Sequence, residues 1–144
     1  MSGRKKITRF DTYFKLNEAG LSNTRDVVKL SLEDCENIIQ DPIFQNILLI
    51  RKYIREKKVL EYFNYDKVTS KYRMIAFRKL VELNKLNEND ILKLQLEDLD
   101  GIINNEDFKN IIILRFFIKK GNSLDYFNEN INIKESEELQ NEQQ

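Results

Sequence analysis

The chain has no histidine and no tryptophan, one cysteine (Cys35), one proline (Pro42) and four glycines in 144 residues. Each shortage closes a door. Without histidine, the commonest general base near neutral pH and the commonest metal ligand are both missing. A lone cysteine builds neither an internal disulfide nor a zinc cluster. Cys35 sits in the acidic stretch LEDCENII, which disfavours a thiolate, so it reads as a small buried residue in a reducing compartment. Glycine and proline are too scarce to turn a chain of many strands, so the class reads as all-α.

Long apolar runs are missing too. The longest, 47–50 and 111–114, each end at an arginine (Arg51, Arg115), far short of the ~20 residues a membrane span requires. The start, MSGRKKITRF, is basic but lacks the apolar stretch of a secretion signal. No Walker-type glycine loop, GxSxG or GxGxxG occurs. These features lead us to expect a soluble intracellular protein, cytoplasmic or nuclear, with no membrane association and no cofactor.

What the chain does have is self-similarity. Shifted by 64 residues, 7–64 aligns with 71–128 without a gap, and 22 of the 58 positions are identical. Random alignment gives about one match in fifteen, so an internal repeat is the leading signal. The sequence therefore predicts a tandem duplication of a roughly 64-residue multi-helix unit, packed into one compact helical domain. Its expected parts are a basic N-terminal arm (1–6), repeat one (7–64), a connector (65–70), repeat two (71–128) and a polar tail (129–144) that frays or orders only against a partner.

Within each repeat the periodicity predicts a run of helices. Phe10, Tyr13, Phe14 and Leu16 give the first an apolar face, matched by Met74, Phe77, Leu80, Val81 and Leu83. A short second helix starts near Asn23 and Asn87, each with an aspartate three residues on (Asp26, Asp90) to suit the exposed amides and the dipole. A third starts near Ser31 and Gln95. A fourth begins at Asp41-Pro42 and near Asn105, and is apolar nearly all round, as a central helix should be. EYFN and DYFN close the repeats, and we expect each to plug its own repeat's core with the tyrosine hydroxyl at the rim.

Candidate sites are few. The clusters Glu33-Asp34-x-Glu36 and Glu97-Asp98-x-Asp100 contain hard-cation ligands, but helical neighbours point about 100° apart, so dipole-stabilising acids are the better reading and no metal site is expected. No catalytic residue is assigned, and the chain is expected not to be an enzyme. Arg51 and Arg115 recur at equivalent places beside the retained Asp34 and Asp98, so ion pairs Arg51–Asp34 and Arg115–Asp98 are expected to compensate burial of the arginines.

Charge sums to zero but is unevenly spread. Residues 1–85 hold 18 Lys/Arg against 11 Asp/Glu, and 86–144 hold 6 against 13. Arg4, Lys5, Lys6, Lys52, Arg55, Lys58, Lys71, Arg73, Arg78 and Lys79, interleaved with tyrosines, are candidate nucleic-acid contacts. Where the first repeat has Lys52-Tyr53, the second has Phe116-Phe117, a candidate docking face for a protein partner or a second subunit. The sequence thus points to a non-enzymatic helical interaction protein, a component or regulator of a nucleic-acid-associated complex. The alternative is a protein–protein adaptor or assembly subunit that uses the apolar face of the second repeat.

Overall fold

A computed structural model of the chain describes residues 7–63, 71–85 and 87–130. Every regular element among them is helical. Seven α-helices occur in order: α1 (Arg9–Glu18), α2 (Thr24–Val28), α3 (Pro42–Arg55), α4 (Val59–Tyr62), α5 (Lys71–Glu82), α6 (Glu88–Leu92) and α7 (Glu106–Lys119). Three 3₁₀ turns, Glu33–Cys35, Leu96–Leu99 and Ser123–Phe127, complete the set. The arm 1–6, the connector and most of the tail lie outside the described residues.

Local chemistry accounts for the boundaries. The Thr8 hydroxyl accepts from the Asp11 amide at 3.1 Å, and the Asp11 carboxylate accepts from the Thr8 amide at 2.9 Å, a reciprocal cap that starts α1. Asn23 and Asn87 each accept from an aspartate amide at 2.8 Å, starting α2 and α6. Asp41 caps α3, with Pro42 at its first position. Helices end in left-handed residues at Gly20 (φ 74°), Lys57 (59°), Asn84 (64°) and Gly121 (79°). There Leu21, Lys58, Lys85 and Asn122 each donate to the carbonyl five residues back. The expected third helices are only 3₁₀ turns. Asp34 and Asp98 reach back to the amides of Ser31 and Gln95, at 2.9 and 2.8 Å, and fix these turns.

The chain divides into two compact units, and the division cuts across the segments read from sequence. One unit joins the chain up to Leu30 to the chain from Glu106 onward, and the other runs Ser31–Asn105. In the first, α7 packs against α1, α2 and the Ser123–Phe127 turn. Its core includes Leu16, Val27, Phe108, Ile111, Leu114, Phe117 and Tyr126. In the second, α3 packs against α4, α5 and α6 around Phe44, Ile47, Ile50, Ile54, Ala76, Leu80 and Ile91. Each unit therefore takes its first two α-helices from one segment and its long apolar helix from the other.

This corrects the expected core. The inner face of α1 is Arg9, Thr12 and Leu16, while Phe10 and Phe14 stand 60% and 51% exposed. On α5 the buried residues are Ala76 and Leu80, with Met74 and Val81 exposed. The expected face of α1 counted aromatics and passed over an arginine and a threonine that find partners inside. The long helices do conform: α7 buries eight side chains, Asp107, Phe108, Asn110, Ile111, Ile112, Leu114, Arg115 and Phe117.

Candidate functional site

Two buried arginines organise the units. Arg115 on α7 donates through one nitrogen to the carbonyls of Val27 (2.7 Å) and Val28 (3.0 Å), the C-terminal end of α2. Arg51 on α3 does the same to Ile91 (2.7 Å) and Leu92 (3.2 Å), the end of α6. A five-residue helix has little intrinsic stability, and a cation on its last carbonyls satisfies orphan acceptors and complements its dipole. The two arginines are 64 positions apart, and so are their acceptors.

Arg51 also grips Glu33 through both carboxylate oxygens, at 2.7 and 2.9 Å, and Arg55 adds a third bond at 3.0 Å. Burial pushes the Glu33 carboxyl up, but the bonds from Arg51 and Arg55 outweigh it and hold the group at about 2, against an ordinary 4.5. The expected partner was Asp34. It lies one residue off, and its carboxylate is engaged by the Ser31 amide, so the ion pair forms with Glu33 instead. Asp98 accepts from the Gln95 amide, and one guanidinium nitrogen of Arg115 donates to Val27 and Val28.

The tyrosines of the repeated tetrapeptide form a second pair of clasps. The Tyr62 hydroxyl donates to the Arg73 carbonyl at 2.7 Å, while Arg73 donates to the Tyr62 carbonyl at 2.9 Å. Tyr126 and Arg9 repeat the arrangement, with Arg9 donating to the Tyr126 carbonyl at 3.0 Å. Arg9 also lies over the rings of Phe117 and Tyr126, as Arg73 lies over Tyr53 and Tyr62. Each tyrosine thus seals a core, but against the first helix of the other segment, and its hydroxyl is enclosed rather than at the rim. Burial raises the Tyr126 hydroxyl well above its ordinary value.

One unit has a polar network that the other lacks. Asp107, nearly enclosed, accepts from the Thr12 hydroxyl at 2.7 Å and from Lys15 at 2.6 Å, and Asn110 donates to the Thr12 hydroxyl at 3.1 Å. The residues 64 positions away from Thr12 and Asp107 are Ala76 and Ile43.

The proposed contact residues separate into used and exposed. Arg73 is part of a clasp and Arg55 is tied to Glu33, so neither is simply a surface cation. Lys52, Lys58, Lys71 and Arg78 are exposed and Lys79 half-buried. Arg4, Lys5 and Lys6 lie outside the described residues. Phe117 has no exposed surface and belongs to the core of its unit, and Phe116 is half-buried against it, with ring centroids 5.5 Å apart. Phe117 therefore offers no docking face: the apolar residue at that position meets Arg9, as Tyr53 meets Arg73. The charge asymmetry also disperses, because Ser31–Asn105 holds 12 Lys/Arg and 13 Asp/Glu.

An open cleft of about 520 Å³ in the second unit is floored by Leu48 and Leu49 and rimmed by Glu33, Glu36, Glu56, Lys52 and Arg55. Of its carboxylates, Glu33 is committed to Arg51 and Arg55. Among the described residues, no group of three His, Cys, Asp or Glu is placed to hold a metal ion, and no helix is long and apolar enough to cross a membrane.

Sequence reading missed a surface feature that folding does not explain. Leu60 and Leu124 stand 81% and 82% exposed, next to the partly exposed Phe63 and Phe127. The leucine retained at both positions, just ahead of EYFN and DYFN, was the available signal. No family profile, curated protein or solved structure matches the chain.

Proposed function

We propose that the chain is a non-enzymatic helical adaptor that binds a protein partner through two equivalent apolar knobs, Leu60 with Phe63 and Leu124 with Phe127. The observation that carries this reading is the pair of leucines, 64 residues apart and both more than four-fifths exposed. A side chain left in water gains nothing from folding, so keeping it at both places asks for another reason. The tyrosine beside each leucine is fully used by its clasp, and the leucine is not. Each knob is two side chains, able to bury about a few hundred Å² at most, below the ~1,000 Å² of a stable specific interface. This favours a partner with a small apolar cleft that takes a knob over a second copy of this chain.

The same reading includes a tandem duplication. In support, the arginine bonds, the tyrosine clasps, the asparagine caps and the left-handed helix ends all recur at an offset of 64.

The test is affinity purification from the source cell, nuclease-treated, with the wild type and a Leu60→Ser/Leu124→Ser variant. A protein recovered by the wild type and lost with the variant, at unchanged thermal stability, supports the proposal. Equal recovery by both removes the knobs from it.

A second reading keeps one observation: α3 and α5 pack together, so the basic runs 51–58 and 71–79 share a unit, with Tyr72 exposed. Binding of nucleic acid there would weaken steeply with salt. No mobility shift with DNA or RNA at low salt removes that reading.

A further inference from the structure

The bonds that complete each unit run between the segments 7–63 and 71–130. Arg115 reaches Val27 and Val28, Arg51 reaches Ile91 and Leu92, Tyr126 reaches Arg9, and Tyr62 reaches Arg73. The long helices follow suit, α7 packing on α1 and α2, and α3 on α5 and α6. A segment on its own would leave the carbonyls at the end of its short helix without the arginine that serves them, and its half of the clasp and the inner faces of its helices without the contacts the other segment makes. Such surface is an interface, and what fits it is a segment of the same kind.

We infer that the two segments are binding partners in the manner of two subunits, and that the covalent link through 64–70 is dispensable for holding them together. The surface one segment presents consists of the carbonyls at the end of a short helix and an arginine with its own carbonyl. It selects a partner supplying one arginine on a long apolar helix and one tyrosine 11 residues further on, past the end of that helix. The equivalence of the two clasps rests on the duplication proposed above, whereas association of the segments rests only on the bonds themselves.

The experiment cuts the intact protein. A protease site inserted within 64–70 of the full chain is cleaved after folding, and the product is sized at micromolar concentration. The expected result is a single species of intact mass with undiminished helical signal. Its thermal midpoint rises with protein concentration, whereas that of the uncut control does not. Adding Tyr126→Phe to the cut protein should weaken association by about tenfold. Pieces that separate as folded monomers, or a midpoint independent of concentration after cutting, overturn the inference. If the uncut insertion variant melts early, a second insertion point within 64–70 replaces the first. Separation of the pieces leaves the exposed leucines where they are, and loss of partner capture leaves the cut protein whole, so the two proposals fail independently.

Discussion

Arg9 and Tyr126 hold each other's backbone across 117 positions of the chain: the hydroxyl of Tyr126 donates to the Arg9 carbonyl, and the Arg9 guanidinium donates to the Tyr126 carbonyl at 3.0 Å. Arg73 and Tyr62 do the same across 11 positions. The reciprocal geometry explains why an arginine near the start of a helix and a tyrosine near the end of a segment recur together.

The clasps should be equally sensitive. Tyr126→Phe and Tyr62→Phe each remove a hydroxyl and leave a part-buried or buried carbonyl without it, at a cost of about 1–2 kcal/mol. Urea unfolding monitored by circular dichroism reads this. A loss at one position and none at the other would show that the two are not equivalent.

The helix-capping arginines should matter more. Arg115→Met preserves the aliphatic bulk but strips Val27 and Val28 of their donor, and about 2–4 kcal/mol of stability should go with it. Hydrogen exchange should show Thr24–Val28 opening first. Arg51→Met should free Thr24–Val28's counterpart, Glu88–Leu92, and leave Glu33 held by Arg55 alone.

Acid should act through Glu33. Its folded value of about 2 lies below the ordinary 4.5, so its stabilising contribution is present above about 4.5 and lost as pH falls toward 2. The thermal midpoint of wild type should drop between pH 5 and 2.5, and Glu33→Gln, starting lower, should drop less. Parallel curves for the two proteins would show that another carboxylate governs the acid limb.

The Asp107 network should be replaceable. Asp107→Ala removes the close acceptor of the buried Thr12 hydroxyl and the partner of Lys15, and should cost about 2–3 kcal/mol. Grafting the other unit's pair, Thr12→Ala with Asp107→Ile, should recover most of that loss in the same denaturation assay. A double variant weaker than Asp107→Ala alone would mean that Asn110 and Lys15 depend on the network for more than this pair.

Much of the architecture was legible in the residues. Asn23, Asn87, Asp41 and Pro42 start helices by local hydrogen bonding and fixed φ, effects that reach only three or four positions, so sequence alone suffices for them. The apolar girth of α3 and α7 marked them as central for a similar reason. The exchange was not legible. Where the two segments carry the same residue at matching places, as at Arg51 and Arg115 or Tyr62 and Tyr126, a contact that closes a segment on itself reads the same in the sequence as one that joins it to the other, and periodicity cannot tell them apart. The choice of Asp34 over Glu33 failed for a related reason: both are acidic and adjacent in the chain, and only the 3₁₀ turn decides which carboxylate faces Arg51. Phe117 looked like surplus apolar surface until Arg9 was found above its ring. Leu60 and Leu124 were hidden by their company, since an aromatic cluster reads as core whether or not every member points inward.

The exchange itself is tested most directly by nuclear Overhauser contacts from the ring protons of Tyr126, assigned in the intact chain. Cross-peaks to the side chain of Arg9 on α1 are predicted, with the matching set from Tyr62 to Arg73 on α5. Cross-peaks from Tyr126 to Arg73 and from Tyr62 to Arg9 would mean that each segment closes on itself, and would contradict the account.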